Sequence, residues 1–407
     1  MVGVAFVLVL IQEAVSLRLG TIAPHDYFSP TVQAPTALGA FVLTFILVSP
    51  SARVRILILG LGIEGARILL QVATGRPLLN LVLFPGFGLG VASWGYLAWE
   101  VLATRGAERQ RNIDLLAAAL AFPLGNLLMW PSVFGSIPFL PVLFDGVLLR
   151  LDATLGFQPA AAVGALFREV PPLFALHLFV YVQLPLAMCV IAGLEARSGR
   201  RLGIGLIPVS LAAAGIGYAF YLAVPAVGPR PVFGDGFAEA MRGLAVMPAE
   251  PVVNTTHPRN VMPSMHVTWA LLILLAARLH GRRVLIGAAL FALGTALATL
   301  GLGEHYFVDL VVALPLVLLM RGLGANGLAM ARGERWGAVA LGVALLAGWA
   351  LIGRGVIDPT TRAGLAPMLM AATAFACIAA ERTLFRAERG LRAAPALPIR
   401  VPVGRLG

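Results

Sequence analysis

The chain contains no lysine, only two cysteines among its 407 residues, and charged side chains at just 12% of positions. Each shortage excludes something. Cys189 and Cys377 both fall inside apolar runs, so they cannot build a disulfide framework or a cysteine-rich zinc site and read as packing residues. A charged fraction of 12%, against roughly 25% for a soluble chain, removes the ionic surface that a water-soluble domain carries. The alternating pattern of roughly ten-residue strands that marks an outer-membrane barrel is also missing. What is there is 59% hydrophobic residues and a mean hydropathy of +0.90. That is the composition of an integral membrane protein whose fold is all-α, a polytopic membrane helix bundle.

About twelve runs approach the roughly 20 apolar residues that cross a bilayer as a helix. They are 2–19, 36–50, 55–73, 79–103, 113–130, 171–195, 203–226, 262–280, 284–302, 305–321, 336–353 and 366–381. The first has no basic leader and no small-residue cleavage site, so it is expected to be retained. The net charge of +11 rests on arginine alone. Most of these arginines fall in loops after alternate helices: Arg53 and Arg55; Arg105, Arg109 and Arg111; Arg197, Arg200 and Arg201; Arg278, Arg282 and Arg283; Arg321, Arg332 and Arg335; then the basic tail. This pattern carries topology rather than a nucleic-acid partner. By the positive-inside rule both termini are cytoplasmic, and loops 131–170, 227–261 and 302–304 face outward. The arginine-only, Ala/Gly/Leu-rich composition points to a bacterial inner (plasma) membrane. Segment 137–157 mixes large apolar residues with Asp145, Arg150 and Asp152, and is expected to lie in the interface with its charges toward water. Glu64 and Arg67 are spaced to pair on one helix face.

Four polar clusters meet at the expected outer face: G-P-R-P at 228–231, H-P-R-N at 257–260, P-S-M-H at 263–266 and G-E-H-Y-F-V-D at 303–309. If Pro263 opens a helix, the N–H groups of the first turn have no intrahelical acceptor and suit an anion such as phosphate. Ser264 can add a hydroxyl, and Arg230 and Arg259 forked donors, to the phosphoryl oxygens. His257, Asn260 and Glu304 are further candidates for substrate contact. His305 and Asp309 are four apart, so they share a helix face. The carboxylate can then fix one imidazole nitrogen and leave the other to attack. His266 can protonate a leaving oxygen, since imidazole titrates near neutral pH. The plain alternatives are histidines satisfied at helix ends and arginines that anchor lipid headgroups. No further carboxylate or cysteine stands at metal-ligand spacing, so no metal and no other cofactor is expected.

P-S-x-H followed 39 residues later by H-Y-x-x-D resembles the type-2 phosphatidic acid phosphatase (PAP2) superfamily. R-N-V-M-P-S-M-H together with G-E-H-Y-F-V-D-L looks most like its inositolphosphotransferase branch, of the inositol phosphorylceramide synthase type, which also tends to carry a D-x6-D segment like that at 145–157. The resemblance covers roughly 137–321. It implies a six-helix catalytic core, set within 113–325; the N-terminal transmembrane helices in 1–112 and the two C-terminal helices and basic tail in 326–407 are read from apolar length alone and have no counterpart in the resemblance. It also implies that His305 is the phosphohistidine-forming nucleophile, Asp309 its partner and His266 the general acid, with Arg230 in the first motif and Ser264 in the second. Ala223 and Thr299 stand where the common motifs have Lys and Arg, and Arg259 is placed to supply part of that charge. The expected reaction is cleavage of a lipid-linked phosphoester at the outer face. The donor is a phospholipid or polyprenyl phosphate. Passage to a lipid, sugar or polyol hydroxyl makes the protein a phosphotransferase, and passage to water a lipid phosphate phosphatase. A lipid transporter or scramblase would need ionisable groups along the spans, and these are sparse. Nothing in the residues sets the oligomeric state.

Overall fold

Proline, glycine and short polar stretches between apolar runs set the helix boundaries. The computed structural model describes residues 30–75, 86–201, 203–242, 252–253, 257–325 and 332–393, with positions 7, 9–14 and 18 near the start. The span expected at 2–19 and the first part of that at 79–103 therefore lie largely outside the described residues.

Helices α1 (Pro30–Leu47), α2 (Pro50–Ala73) and α3 (Phe87–Ala103) form an N-terminal group. Pro50 opens α2, where its missing N–H costs nothing, and the Ser49 side chain caps the turn by accepting from the Ala52 N–H. Ala34, Ala37 and Ala40 of α1 are fully buried. A Cβ on Gly90 would stand 2.5 Å from Ala37, so α1 and α3 approach as closely as small residues permit. Helix association in lipid relies on such contacts because the tails offer no hydrophobic driving force. Glu64 pairs with Arg67 and also accepts from the Gly88 N–H at 2.7 Å, which ties α2 to α3.

Helix α4 (Gly106–Gly135) leads to a two-residue strand β1 (Val142–Leu143) and to α5 (Asp145–Ala153), α6 (Pro159–Glu169), α7 (Pro171–Val182) and α8 (Leu184–Ser198). Next come α9 (Leu206–Ala223), the short α10 (Pro229–Phe233) and α11 (Phe237–Arg242), and β2 (Val252–Val253), which pairs antiparallel with β1. Helices α12 (Met265–Ala277), α13 (Arg282–Gly301), α14 (Phe307–Gly324), α15 (Arg332–Gly353) and α16 (Leu365–Ala393) complete the order. Helix α14 is central. Of its apolar window 83% is buried, against 11% for α2, which turns Ile58, Leu59 and Leu61 outward as a lipid-facing helix does.

Seven helices among the described residues are long and apolar enough to cross a membrane, or eight if α6 and α7, bent by 118° at Val170, are one span. All-α membrane architecture stands; the twelve-span count does not follow from these helices. The stretch expected as one span at 171–195 divides at Gln183. Pro185 has no N–H for the preceding turn, and its ring crowds that turn's carbonyl. The helix expected over 262–280 is only Met265–Ala277. Pro263 precedes the Ser264 N-cap instead of opening the helix. Arg321 is not a loop residue: it sits within α14, 4% exposed, paired with Glu381. Segment 137–157 also differs from expectation, because Asp145 and Asp152 are 1% and 0% exposed and point inward to main-chain donors.

Candidate active site

Helices α12 and α14 both begin in one layer, and α9 and α13 both end there. The Ser264 N–H donates to the Asp309 carbonyl at 3.1 Å, and the N–H groups of Glu304 and His305 donate to the Thr299 carbonyl at the end of α13. The Arg230 N–H donates to the Gly303 carbonyl at 2.8 Å, which brings the G-P-R-P turn to the same place. Gly228 and Gly303 make this crossing possible. Their φ angles are +91° and +72°, and a Cβ on either would stand within 3 Å of the other segment.

His305 lies just before α14 and is 3% exposed. Its Nδ1 is 3.6 Å from Asp309 Oδ2, slightly beyond hydrogen-bond length, and Asp309 Oδ1 has no hydrogen-bond partner among the described residues. Oδ2 is held by the Tyr306 N–H at 2.7 Å, so the carboxylate is fixed beside the ring. Burial lowers the His305 imidazole to about 4, opposed by the Glu304 carboxylate and the Val261 backbone, so the ring is neutral at pH 7. Glu304 is raised by its own burial, with His305 and Arg230 pulling the other way.

His266, in the first turn of α12, stacks on Tyr181 of α7 with centroids 3.9 Å apart and planes inclined by 15°, and meets Trp269 edge-on at 6.4 Å. It is close enough to His305 to feel that ring's charge. Ser264 is fully buried as the N-cap, its Oγ accepting from the Val267 N–H at 3.5 Å. A hydroxyl keeps its own proton while accepting, so this cap leaves it able to donate.

The two arginines differ. Arg259 is 1% exposed, donates to the carbonyls of Leu140 and His257, and interacts electrostatically with Asp145. Arg230 is half exposed, pairs with Asp235 at 2.9 Å and lies within the field of Glu304. Asn260 is half-buried beside Arg259, whereas His257 is exposed. Among the described residues, no three His, Cys, Asp or Glu side chains are grouped to hold a metal ion.

Sequence reasoning missed the polar layer beneath these residues. Asp145 accepts from the N–H groups of Val227 and Gly228 and from the Tyr306 hydroxyl at 3.1 Å. Asp152 accepts from the N–H groups of Phe307 at 2.6 Å and Val308 at 2.9 Å. Burial pushes both carboxyls up, with these hydrogen bonds pulling down and Asp309 adding to the rise at Asp152. Their spacing was the available signal. Seven residues is two helical turns, which sets both carboxylates on one face of α5.

The fold and this centre define a membrane protein with a histidine–carboxylate pair buried at the shared mouth of two helices. Residues 146–323 match the family model described as PAP2 superfamily. That match begins within α5, ends within α14 and takes in every residue of the centre apart from Asp145. No curated protein and no solved structure matches the chain.

Proposed function

We propose that this chain is a phosphotransferase of lipid-linked phosphoesters working through a phosphohistidine. The observation that carries the reading is the His305–Asp309 pair, 3.6 Å apart and buried, joined through the Asp309 carbonyl to the helix start that bears His266. Asp309 favours the tautomer with the proton on Nδ1, which leaves the Nε2 lone pair for phosphorus. As the N–P bond forms, the P–O bond to the leaving alcohol breaks. His266 gives that oxygen its proton and then takes one from the incoming hydroxyl. Charge on the phosphoryl oxygens is met by Arg259, Arg230 and the Ser264 hydroxyl, with His257, Asn260 and Glu304 as further contacts to the substrate.

Transfer to a lipid, sugar or polyol hydroxyl is preferred to hydrolysis because Thr299 and the H-Y-F-V-D-L run resemble the inositolphosphotransferase branch. Thr299 brings no cation for the dianion of a phosphate monoester, and its hydroxyl donates to the Ala296 carbonyl. Arginines at the helix ends away from this centre, Arg197, Arg200 and Arg201 and Arg278, Arg282 and Arg283, support placing it on the outer face of a plasma membrane. The test is to incubate purified protein in vesicles with phospholipid and polyprenyl-phosphate donors and hydroxylated acceptors, and to resolve the products by mass spectrometry. A phosphorylated acceptor, absent with His305→Ala, is the expected result. Inorganic phosphate as the sole phosphorus product assigns a phosphatase instead, and lipid movement that survives His305→Ala without turnover assigns a transporter.

A further inference from the structure

The first turn of α14 reads Y-F-V-D, with no Ser, Thr, Asn or Asp at the N-cap position. Its leading N–H groups therefore need other acceptors, because a buried N–H left unpaired is costly. Asp309 reaches back to one of them, that of Tyr306. The other two, on Phe307 and Val308, are taken by the two oxygens of Asp152, which lies 155 positions earlier in the chain on α5. His305 stands just before this turn, and on its other side its own N–H is held by Thr299. The nucleophile is thus pinned between α13 and a carboxylate of α5. The same helix presents Asp145 to Tyr306 and to the turn before Arg230, so α5 sets the mutual spacing of two motif segments.

We propose that Asp152 is a positioning residue for His305: its carboxylate fixes the first turn of α14 and so the direction in which the imidazole meets phosphorus. This rests on the phosphohistidine reading above. A neutral amide in its place can accept from one N–H and must turn its own NH2 toward the other. The helix then keeps its packing but loses the register of its first turn. A misplacement of about 1 Å at a nucleophile costs on the order of 100-fold in rate without a matching loss of substrate binding.

The test compares wild type, Asp152→Asn and Asp152→Glu, all full-length in lipid nanodiscs, with His305→Ala as the blank. Turnover and amide hydrogen exchange over residues 302–312 are both read. Expected for Asp152→Asn are a kcat lower by about 30- to 100-fold, a KM within about threefold of wild type and faster exchange at Phe307 and Val308, while Asp152→Glu recovers at least part of kcat. A kcat within about threefold of wild type overturns the proposal, as does a loss carried by KM. If Asp152→Asn does not fold, Phe307→Pro deletes the shorter bond from the donor side at a position that favours proline. An unchanged kcat there, or failure of both variants to fold, assigns Asp152 to folding alone. If wild type shows no turnover that His305→Ala removes, the phosphohistidine reading falls, and the exchange data still decide whether Asp152 holds the turn.

Discussion

The N–H of Ser264 donates to the main-chain oxygen of Asp309 at 3.1 Å, so the two helices that carry His266 and His305 start from a single hydrogen-bonded seam. Any movement of one imidazole is coupled to the other through backbone rather than through flexible side chains. Burial around this seam sets the chemistry of His305. An imidazole lowered to about 4 is neutral across the physiological range and is lost as a nucleophile only when pH falls through that value. The acid limb of kcat/KM is therefore expected well below the ordinary histidine value of about 6.5. The sign for stability agrees. The folded state favours the neutral ring, so His305 costs stability as pH drops from about 6.5 toward 4 and contributes no change above that window. A rate profile at fixed lipid composition checks this, and an acid inflection at 6.5 or higher contradicts it.

Gly303 stands two residues before His305 with φ +72°, and a Cβ there would meet the Arg230 Cβ at 2.8 Å and the Phe237 ring at 2.9 Å. Gly303→Ala is expected to destabilise the fold by about 2 kcal/mol or more, combining a left-handed backbone with two close contacts. It should cut turnover more than tenfold as the Arg230 turn is pushed from the site. Thermal unfolding in detergent and the transfer assay read the two effects separately. Retention of both properties would show that the crossing of the two segments relaxes freely.

Tyr181 holds the His266 ring by its face, and the phenol is not needed for that contact. Tyr181→Phe is expected to keep kcat within about threefold, whereas Tyr181→Leu loses about tenfold, in line with about 0.5–1.5 kcal/mol for an aromatic pair. The loss should shrink for a donor whose leaving group is already acidic, because such a group needs less help from His266. Equal losses for good and poor leaving groups would remove Tyr181 from the positioning of the acid.

Much of this was legible in the sequence because the signals were local. Apolar length and scarce charge gave an all-α membrane protein, and Glu64 with Arg67 three residues on gave a pair on one helix. What escaped depends on distant partners. Asp145 and Asp152 sit on a short apolar helix between prolines, a pattern that equally describes a helix floating at the interface with its charges in water. Their direction is decided by N–H donors at Val227, Gly228, Phe307 and Val308, which no window around 145–157 contains. The span count drifted for a similar reason. The break at Gln183 divides the apolar run 171–195 into two short helices, and Met265–Ala277 is shorter than the run 262–280. Arg321 read as a loop cation because its carboxylate, Glu381, is 60 residues away.

Glu381 of α16 lies between Arg278, at the end of α12, and Arg321, in the last turn of α14, with N–O separations of 3.3 Å to each. Helix α16 is outside the matched segment 146–323, yet this carboxylate grips the two helices whose opposite ends carry His266 and His305. Removing it takes a carboxylate from two guanidinium groups, of which that of Arg321 is 4% exposed. Breaking one side of a buried pair costs about 3–5 kcal/mol, more than the pair itself contributes. Glu381→Ala is therefore expected to lower the thermal midpoint sharply and to reduce monodisperse yield in detergent. Adding Arg321→Leu to a Glu381→Leu background should recover part of the loss by removing a buried charge that Glu381 no longer offsets. If Glu381→Ala unfolds at the wild-type temperature and turns over lipid normally, α16 is an accessory to the core instead of a part of it. A chain ended before α16 would then keep its activity.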